Sequence, residues 1–337
     1  MNVRDTLFTL SELCALGSVN EASQKAYGIL SQYAECERTD NLTVIARLNG
    51  KSDYTIMLDA HIDEVGFIVT DVDDDGFLTV EKCGGTDLRS LPARPVTVHG
   101  KQKITAVFCS TPPHLLKGEK EYKDISKIKL DTMLGQKAKS VISIGDYVTY
   151  AESPTELLGG RVSGKSLDDR AGVVCLLEVA KRLSGKELPV NVVFVLSDSE
   201  ELGLRGAKTA AFRVNPDEAI AVDVSFGDGP DISPDDCGKL GDGAMIGISP
   251  VLDKQVSSKL ITTAKQSNIK YQTEVMGGNT STNADVISVT QRGVRTGLVS
   301  IPLRNMHTAV EVVDIADLTS VCDILEEYIL SGGVKND

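Results

Sequence analysis

The chain has four histidines, each of which is a candidate metal ligand: His61, His99, His114 and His307. A lone histidine is more often structural than ligating. His61, however, directly follows an apolar run of strand length at residues 54–60. It would therefore stand at the carboxyl end of a strand, where α/β folds bind ligands. Asp63 is spaced to accept the second imidazole N–H and to fix the tautomer of the ring.

Three acids lie within five residues in the segment Ser-Asp-Ser-Glu-Glu at 197–201. The usual interpretation of such a cluster is a solvated acidic turn. This one directly follows a buried-looking strand at 190–196, and its glycine- and leucine-rich continuation favours a tight structure. Adjacent carboxylates such as Glu200 and Glu201 can then divide the work, since one can bind metal while the other moves a proton.

Further acids and a histidine flank other predicted elements. Asp168 and Asp169 open a predicted helix, where an N-cap would explain one of the two. Asp223 closes one short apolar run and His307 follows another. Each signal is weak alone, but together they predict two histidines and at least three carboxylates at one rim of one sheet. Nitrogen and oxygen ligands without cysteine suit zinc, cobalt or manganese in a catalytic site. Two such metals about 3.5–4 Å apart could clamp a hydroxide and polarise a carbonyl.

The elements that would position these residues alternate between strand and helix patterns. Apolar runs of strand length lie at 54–60, 190–196, 219–224 and 297–301. Helical periodicity is predicted at 169–183, 257–266, 284–291 and 315–330, and a first helix at 7–16. Such alternation predicts an α/β fold with a mixed sheet flanked by helices.

The pattern changes between residues 67 and 153, where short β-like runs are separated by Gly, Pro and Asp turns. The predicted strands are 77–80, 96–99, 104–109 and 147–151. The Lys-rich middle, 116–139, is predicted to be a solvated loop or a short helix. We expect a β domain at 67–153, inserted into a catalytic domain formed by 1–66 and 154–337.

Composition narrows the function class. The chain has 337 residues, more than one hydrophobic core usually serves. The formal net charge is -13 and the sequence has no Lys/Arg cluster, so its charge does not indicate a surface that binds nucleic acid. No apolar run is long enough to span a membrane. Seven scattered cysteines without a CxxC pair argue against a disulfide framework or a thiolate zinc site and favour the reducing cytoplasm.

At five separated places the chain resembles the TET-type dinuclear aminopeptidases of metallopeptidase family 42, the glutamyl and deblocking aminopeptidases. The matching segments are Ala60-His-Ile-Asp-Glu-Val-Gly-Phe67, Gly164-Lys-Ser-Leu-Asp-Asp-Arg-Ala-Gly172, Glu200-Glu-Leu-Gly-Leu-Arg-Gly-Ala207, Val222-Asp-Val224 and Ser300-Ile-Pro-Leu-Arg-Asn-Met-His307 with Glu311-Val-Val-Asp314. They occur in the family's order and spacing over nearly the whole chain.

The resemblance implies a phosphorylase/hydrolase-like catalytic domain interrupted by a β-barrel-like dimerisation domain, with dimers assembling into a tetrahedral dodecamer. It implies hydrolysis of the N-terminal residue of short peptides by hydroxide bound to two metals, zinc or cobalt above manganese. The implied metal ligands are His61, Asp168, Glu201, Asp223 and His307, with Asp168 bridging. Glu200 would be the general base, Asp63 would support His61, and the peptide bond between Asp168 and Asp169 would be cis.

Three segments depart from the family's usual pattern. The stretch 14–20 lacks Pro-Gly-x-Ser-Gly, Thr86 replaces a tryptophan, and Asn283 replaces an aspartate. These departures leave the side-chain preference open. Two other functions fit part of the pattern: a glycoside hydrolase using Glu200 and Glu201, in which the histidines would have no role, and a non-catalytic metal-binding oligomer, which would not explain the extra acid Glu200.

Overall fold

The computed structural model describes residues 2–115, 124–230 and 232–336. Within them the helices are α1 (Val3–Glu12), α2 (Glu21–Leu30), α3 (Ala138–Val141), α4 (Leu167–Leu183), α5 (Arg205–Val214), α6 (Lys254–Gln266), α7 (Ala284–Ile287) and α8 (Ile315–Ser331). The strands are β1 (Ala15–Leu16), β2 (Val19–Asn20), β3 (Glu35–Arg38), β4 (Val44–Leu48), β5 (Thr55–His61), β6 (Gly66–Val72), β7 (Phe77–Cys83), β8 (Pro95–His99), β9 (Lys103–Phe108), β10 (Leu130–Asp131), β11 (Tyr147–Tyr150), β12 (Thr155–Glu156), β13 (Arg161–Gly164), β14 (Asn191–Ser197), β15 (Glu218–Phe226), β16 (Ala244–Ile248), β17 (Tyr271–Val275), β18 (Arg295–Leu303) and β19 (Glu311–Asp314).

An eight-stranded mixed sheet forms the centre, in the order β17-β16-β18-β15-β5-β14-β4-β3. Strands β18, β15, β5 and β14 run parallel to one another, while β4 and β3 complete one side in antiparallel pairing. The four parallel strands are apolar on both faces, as expected where helices cover a sheet on both sides. The predicted mixed α/β class is confirmed.

Each face of this sheet packs against its own helices. Ile56, Leu58 and Ala60 of β5 belong to the core that also contains α4 and α8, whereas the alternate residue Met57 packs with α5 and α7. This alternation follows from the two-residue repeat of a strand. Because His61 continues the Met57 series, the end of β5 presents its imidazole on the α5 side.

A closed barrel with the order β10-β7-β6-β11-β8-β9 forms a second layer, and its strands all lie between Gly66 and Tyr150. Its core contains Phe67, whose ring meets Phe108 edge-on with the centroids 5.0 Å apart. The predicted β-barrel-like unit is confirmed as architecture. A barrel leaves no open sheet edge, which explains how such short strands form a stable unit.

The prediction of a solvated loop or short helix at 116–139 was incomplete. Residues 116–123 lie outside the described part of the chain. Beyond them, β10 closes the barrel and buries Leu130 in its core, while α3 supplies the short helix. A two-residue strand leaves too little alternation to recognise in a sequence.

Two predicted helices differ from the observed ones by four residues at one end or at both. The helix predicted at 284–291 ends at Ile287, and the chain turns through a positive φ of 55° at Gln291. The first helix, predicted at 7–16, is α1 at Val3–Glu12, since Ala15–Leu16 pairs with Val19–Asn20 as a small hairpin. Among the described residues, no helix is long and apolar enough to cross a membrane.

Candidate metal centre

His61 ends the central strand β5, opposite Ser197 at the end of β14. The ring is buried, and its Nε2 lies 3.0 Å from Oδ1 of Asp168. The other nitrogen, Nδ1, has no hydrogen bond to the described residues, and Oδ1 of Asp63 lies 3.4 Å from it. The imidazole is thus held between two carboxylates with Nε2 directed at the site.

Asp63 also holds the turn after β14. Its two carboxylate oxygens accept hydrogen bonds from the backbone N–H groups of Glu200 and Glu201, at 2.9 and 3.2 Å. The sequence predicted only a contact with the histidine. The structure adds that one buried carboxylate positions both the histidine and the pair of glutamates.

Asp168 faces both site histidines. Its Oδ1 lies 3.0 Å from Nε2 of His61, and its Oδ2 lies 3.2 Å from Nε2 of His307. The peptide bond between Asp168 and Asp169 is cis, as the resemblance implied. The prediction of a single rim required Asp168 to follow a strand of the main sheet, but it does not. It opens α4 after β13, which belongs to a separate three-stranded sheet with β12 and β19.

His307 follows β18 in a turn, and its Nε2 lies 3.2 Å from Oε1 of Glu201. Its Nδ1 lies 2.7 Å from the carbonyl oxygen of Gly85, which brings the barrel side into the site. A Cβ at Gly85 would approach this ring to 3.0 Å, so the close approach favours glycine here.

Glu311 on β19 links two of these residues by accepting hydrogen bonds from their backbone. Its Oε1 accepts the backbone N–H of His307 at 2.8 Å, and its Oε2 accepts the backbone N–H of Asp168 at 3.1 Å. Sequence reasoning included Glu311 in a matching motif but gave it no role. Nothing in its spacing indicates that it links two segments so distant in the chain.

Asp223 lies within β15 rather than at its end, with three residues of the strand still to follow. Its Oδ1 is 3.8 Å from Nε2 of His61. The buried Oδ2 of Asp169 has no hydrogen bond within the described residues, although Oδ1 accepts the N–H of Gly172 at 2.9 Å. Asp169 therefore joins the cluster as a member that sequence reasoning left unassigned.

The donor atoms fall into three groups in which each residue's ligand atom lies within 4.8 Å of the others. The groups are His61, Asp169 and Asp223; His61, Glu200 and Glu201; and Asp168, Glu201 and His307. All donors are imidazole nitrogens or carboxylate oxygens, the set preferred by zinc and similar catalytic divalent ions. The buried Oδ2 of Asp169, which has no hydrogen bond within the described residues, is also suited to contact a cation. These residues fit divalent metal ions.

The crowding of acids perturbs their protonation. Burial raises the pKa of Glu200 to about 7, with the charge of His61 opposing the shift and that of Glu201 adding to it. Burial also raises the pKa of Asp223, with Asp169 and Asp168 adding to the shift. For Asp168, burial opposes the shift, but the hydrogen bonds from His307 and His61 hold the pKa well below its usual value. Burial thus favours the neutral form of Glu200 and Asp223, whereas the two histidines keep Asp168 ionised.

A cavity of about 350 Å³ opens onto the cluster. Besides the metal-compatible side chains, it is lined by Val224, Ser225, Phe226, Glu274, Met276, residues 279–282 and Met306. Asn283, next to this lining, donates from Nδ2 to Oδ2 of the buried Asp59 at 2.7 Å and to Oγ of Ser197 at 2.9 Å. The asparagine thus ties the lining loop to the ends of β5 and β14.

The other two histidines lie elsewhere. His99 is in the barrel, where its Nε2 lies 2.9 Å from Oγ1 of Thr149, and His114 is in a short turn after β9. The structure therefore brings together every residue that the sequence proposed as a ligand or base. It adds Asp169 and Glu311.

Residues 43–324 match the family described as M42 glutamyl aminopeptidase. The chain is 32% identical over 318 residues to a putative aminopeptidase of Acetivibrio thermocellus, covering 89% of this chain and 91% of that one. It is similar to an aminopeptidase structure from Desulfurococcus kamchatkensis, with a TM-score of 0.93, 28% identity and coverage of 99% and 97% of the two chains. It is also similar to the Pyrococcus horikoshii TET1 peptidase, which can assemble into a tetrahedron or a large octahedral shell, with a TM-score of 0.87, 28% identity and coverage of 98% and 99%.

Proposed function

The chain belongs to the M42 glutamyl aminopeptidase family and is therefore an aminopeptidase and a hydrolase, and we propose that it removes the N-terminal residue of short peptides using two divalent metal ions. The observation that carries this proposal is the position of Asp168, whose two oxygens each face a different histidine. One carboxylate placed in this way can serve two ions.

We assign five residues to the two ions. His61 and Asp223 would hold one ion, Glu201 and His307 would hold the other, and Asp168 would serve both. Zinc, cobalt or manganese bound here would supply Lewis acidity to the scissile carbonyl and would lower the pKa of a water molecule. Glu311 and Asp63 position these ligands through the backbone and imidazole contacts described above.

Glu200 is the proposed general base. Its carboxylate lines the cavity beside the ligand Glu201, and burial raises its pKa to about 7. A carboxylate placed beside the metal ligands can take a proton from water and return it, which is what hydrolysis of an amide needs. In this scheme Oε of Glu200 accepts the proton of the attacking water and delivers it to the leaving amine.

A glycoside hydrolase built on Glu200 and Glu201 does not fit this geometry. The two residues are neighbours on one turn, and an oxygen of each lies within 4.8 Å of the other and of His61. Carboxylates that cleave a glycosidic bond flank it from two sides, at least about 5 Å apart. The peptidase proposal also gives the histidines a role.

We propose that residues 67–153, which contain the barrel apart from Gly66, form the dimer contact, and that 1–66 with 154–337 form the catalytic unit. Support comes from apolar side chains left exposed on the barrel side, such as Met133 at 82% and Ile144 at 70%. The barrel is a closed unit inserted between two segments of the catalytic unit, and these side chains are apolar positions on it that an assembly could cover. The shell described for the Pyrococcus horikoshii relative supports a homo-oligomer, which we propose to be a tetrahedral dodecamer.

The expected setting is the cytoplasm, with peptides as partners and neither nucleic acid nor membrane. All seven cysteines are free thiols, which suits a reducing compartment. The exopeptidase proposal is tested with matched substrates that differ only in an N-terminal acetyl group. Hydrolysis of free aminoacyl peptides and not of their acetylated forms is expected, whereas equal cleavage of both would contradict it.

A further inference from the structure

Glu274 lines the same cavity as the metal-compatible cluster but belongs to none of its groups of donor atoms. It lies on β17, at the edge of the main sheet. Its Oε2 accepts a hydrogen bond from Oγ of Ser300 at 2.8 Å, and its Oε1 accepts one from Oγ of Ser225. Two neutral hydroxyls therefore fix the carboxylate without neutralising it.

The described residues that line the cavity supply no counter-ion for Glu274. Among the described residues that line the cavity there is no lysine or arginine. The two histidines that line it, His61 and His307, are engaged with Asp168 and Glu201. Glu274 belongs to none of the donor groups, so metal ions held by those groups would not bind its carboxylate directly. A half-buried, oriented carboxylate of this kind favours a cationic group from outside.

The distance between the cluster and Glu274 suits a long side chain. Ser225, which holds Oε1, lies two residues after Asp223 on β15 and on the same face, so the two are about 7 Å apart, whereas Ser300, which holds Oε2, pairs with Asp223 across the sheet. The lining of this cavity includes the apolar side chains of Phe226, Met276 and Met306 beside the polar residues 279–282. Apolar side chains together with a carboxylate match an aliphatic stem with a cationic end, as in lysine and arginine.

We propose that Glu274 is the residue that sets substrate preference, by binding the side-chain cation of an N-terminal lysine or arginine. This inference rests on the proposed aminopeptidase function. The alternative cation is the substrate's own α-ammonium group. That nitrogen lies only about 2.5 Å from the reacting carbonyl carbon, so it stays beside the cluster rather than at Ser225. Glu274 therefore binds the side chain of the substrate's N-terminal residue and not its α-ammonium group.

The first experiment needs no variant. The metal-loaded wild-type chain is assayed with lysyl- and norleucyl-p-nitroanilide, whose side chains are alike except for the terminal ammonium. A charge-assisted hydrogen bond predicts a kcat/KM for the lysyl substrate about tenfold to a hundredfold higher. Equal values, or a preference for norleucine, would overturn the assignment. Failure to hydrolyse any aminoacyl nitroanilide would instead overturn the proposed function on which it rests.

The second experiment changes the residue. Glu274→Gln keeps the size and both serine partners but removes the charge, so kcat/KM for the lysyl substrate should fall to the norleucyl level while the norleucyl value changes less than about twofold. Glu187→Gln is the matched control, because Glu187 is 82% exposed in its side chain, far from the cavity and paired with Lys51. An equal fall for both substrates in Glu274→Gln would show recognition of the α-ammonium or a structural role, and would contradict the proposal.

Discussion

Asp63 accepts the backbone N–H of Glu200 at 2.9 Å, so the segment after β5 and the turn after β14 are joined inside the site. The same carboxylate lies 3.4 Å from Nδ1 of His61. One buried acid therefore fixes a ligand and the proposed base relative to each other. The arrangement makes the base dependent on a residue that need not contact substrate.

We expect Asp63→Asn to lower activity and metal affinity together, by about tenfold to a hundredfold, the usual effect of removing a group that orients a metal ligand. The amide can accept only through one oxygen, so the N–H of Glu200 and that of Glu201 cannot both keep their partner. Metal content and kcat are measured side by side. Asp40→Asn, an exposed site, is the control. Unchanged metal affinity in Asp63→Asn would limit its role to the turn.

Glu200→Gln should retain its metal ions and lose roughly a hundredfold or more in kcat, the size expected for a general base. The matched variant is Glu201→Gln, the same change on the adjacent residue, which should lose metal instead. Elemental analysis and single-substrate kinetics on both proteins separate the two roles. A fully active Glu200→Gln beside a metal-loaded, inactive Glu201→Gln would show that the roles are exchanged.

The barrel side should carry the dimer contact. Replacing both Met133 and Ile144 by glutamate places charge on apolar surface that is exposed in the single chain, so folding should persist while assembly weakens. Light scattering should then report smaller species. Leu158→Glu, at a position 97% exposed outside the barrel, is the control and should keep the assembly. Loss of assembly in Leu158→Glu, with assembly kept in the Met133 and Ile144 variant, would show that the dimer contact lies on the catalytic unit.

Asp317 should make the stability of the fold depend on pH, and it does so outside the metal site. The carboxylate accepts the N–H groups of Gly241 and Gly243, both at 2.8 Å, and burial, partly offset by these bonds, raises its pKa to about 6. An acid with a raised folded-state pKa binds its proton more tightly when folded, so its contribution to stability falls as pH rises from about 4 to about 6.

The comparison with Asp317→Asn isolates this effect, because the other titrating groups are common to both proteins. The stability of wild type relative to the variant should decrease between about pH 4 and 6 and then stay constant. Urea unfolding midpoints across this range measure it. A relative stability that increased with pH would contradict the direction of the shift.

The sequence predicted the parts of the fold that are buried on both sides. The strand predicted at 54–60 is Thr55–His61 and that at 190–196 is Asn191–Ser197, because continuous apolar runs bounded by polar residues mark interior strands. Helix α8 was predicted to within one residue, since its apolar face repeats over its whole length.

What the sequence missed depends on contacts between distant segments. Strand β17 reads Tyr-Gln-Thr-Glu-Val, a half-exposed edge strand without an apolar face, so Glu274 could not be placed in the cavity. Asp168 was predicted at the main sheet, although it comes from β13 and α4, because a small separate sheet leaves little pattern. The ligand residues themselves carried enough motif information to be selected together.

The central claim is that two divalent ions at Asp168 are required for peptide hydrolysis. The most direct measurement is hydrolytic activity against bound metal, in protein stripped with EDTA or phenanthroline and titrated with zinc, cobalt or manganese while elemental analysis follows its content. Activity should be absent in the stripped protein and should rise to its maximum at two ions per chain. Full activity in protein shown to be free of metal would contradict the account.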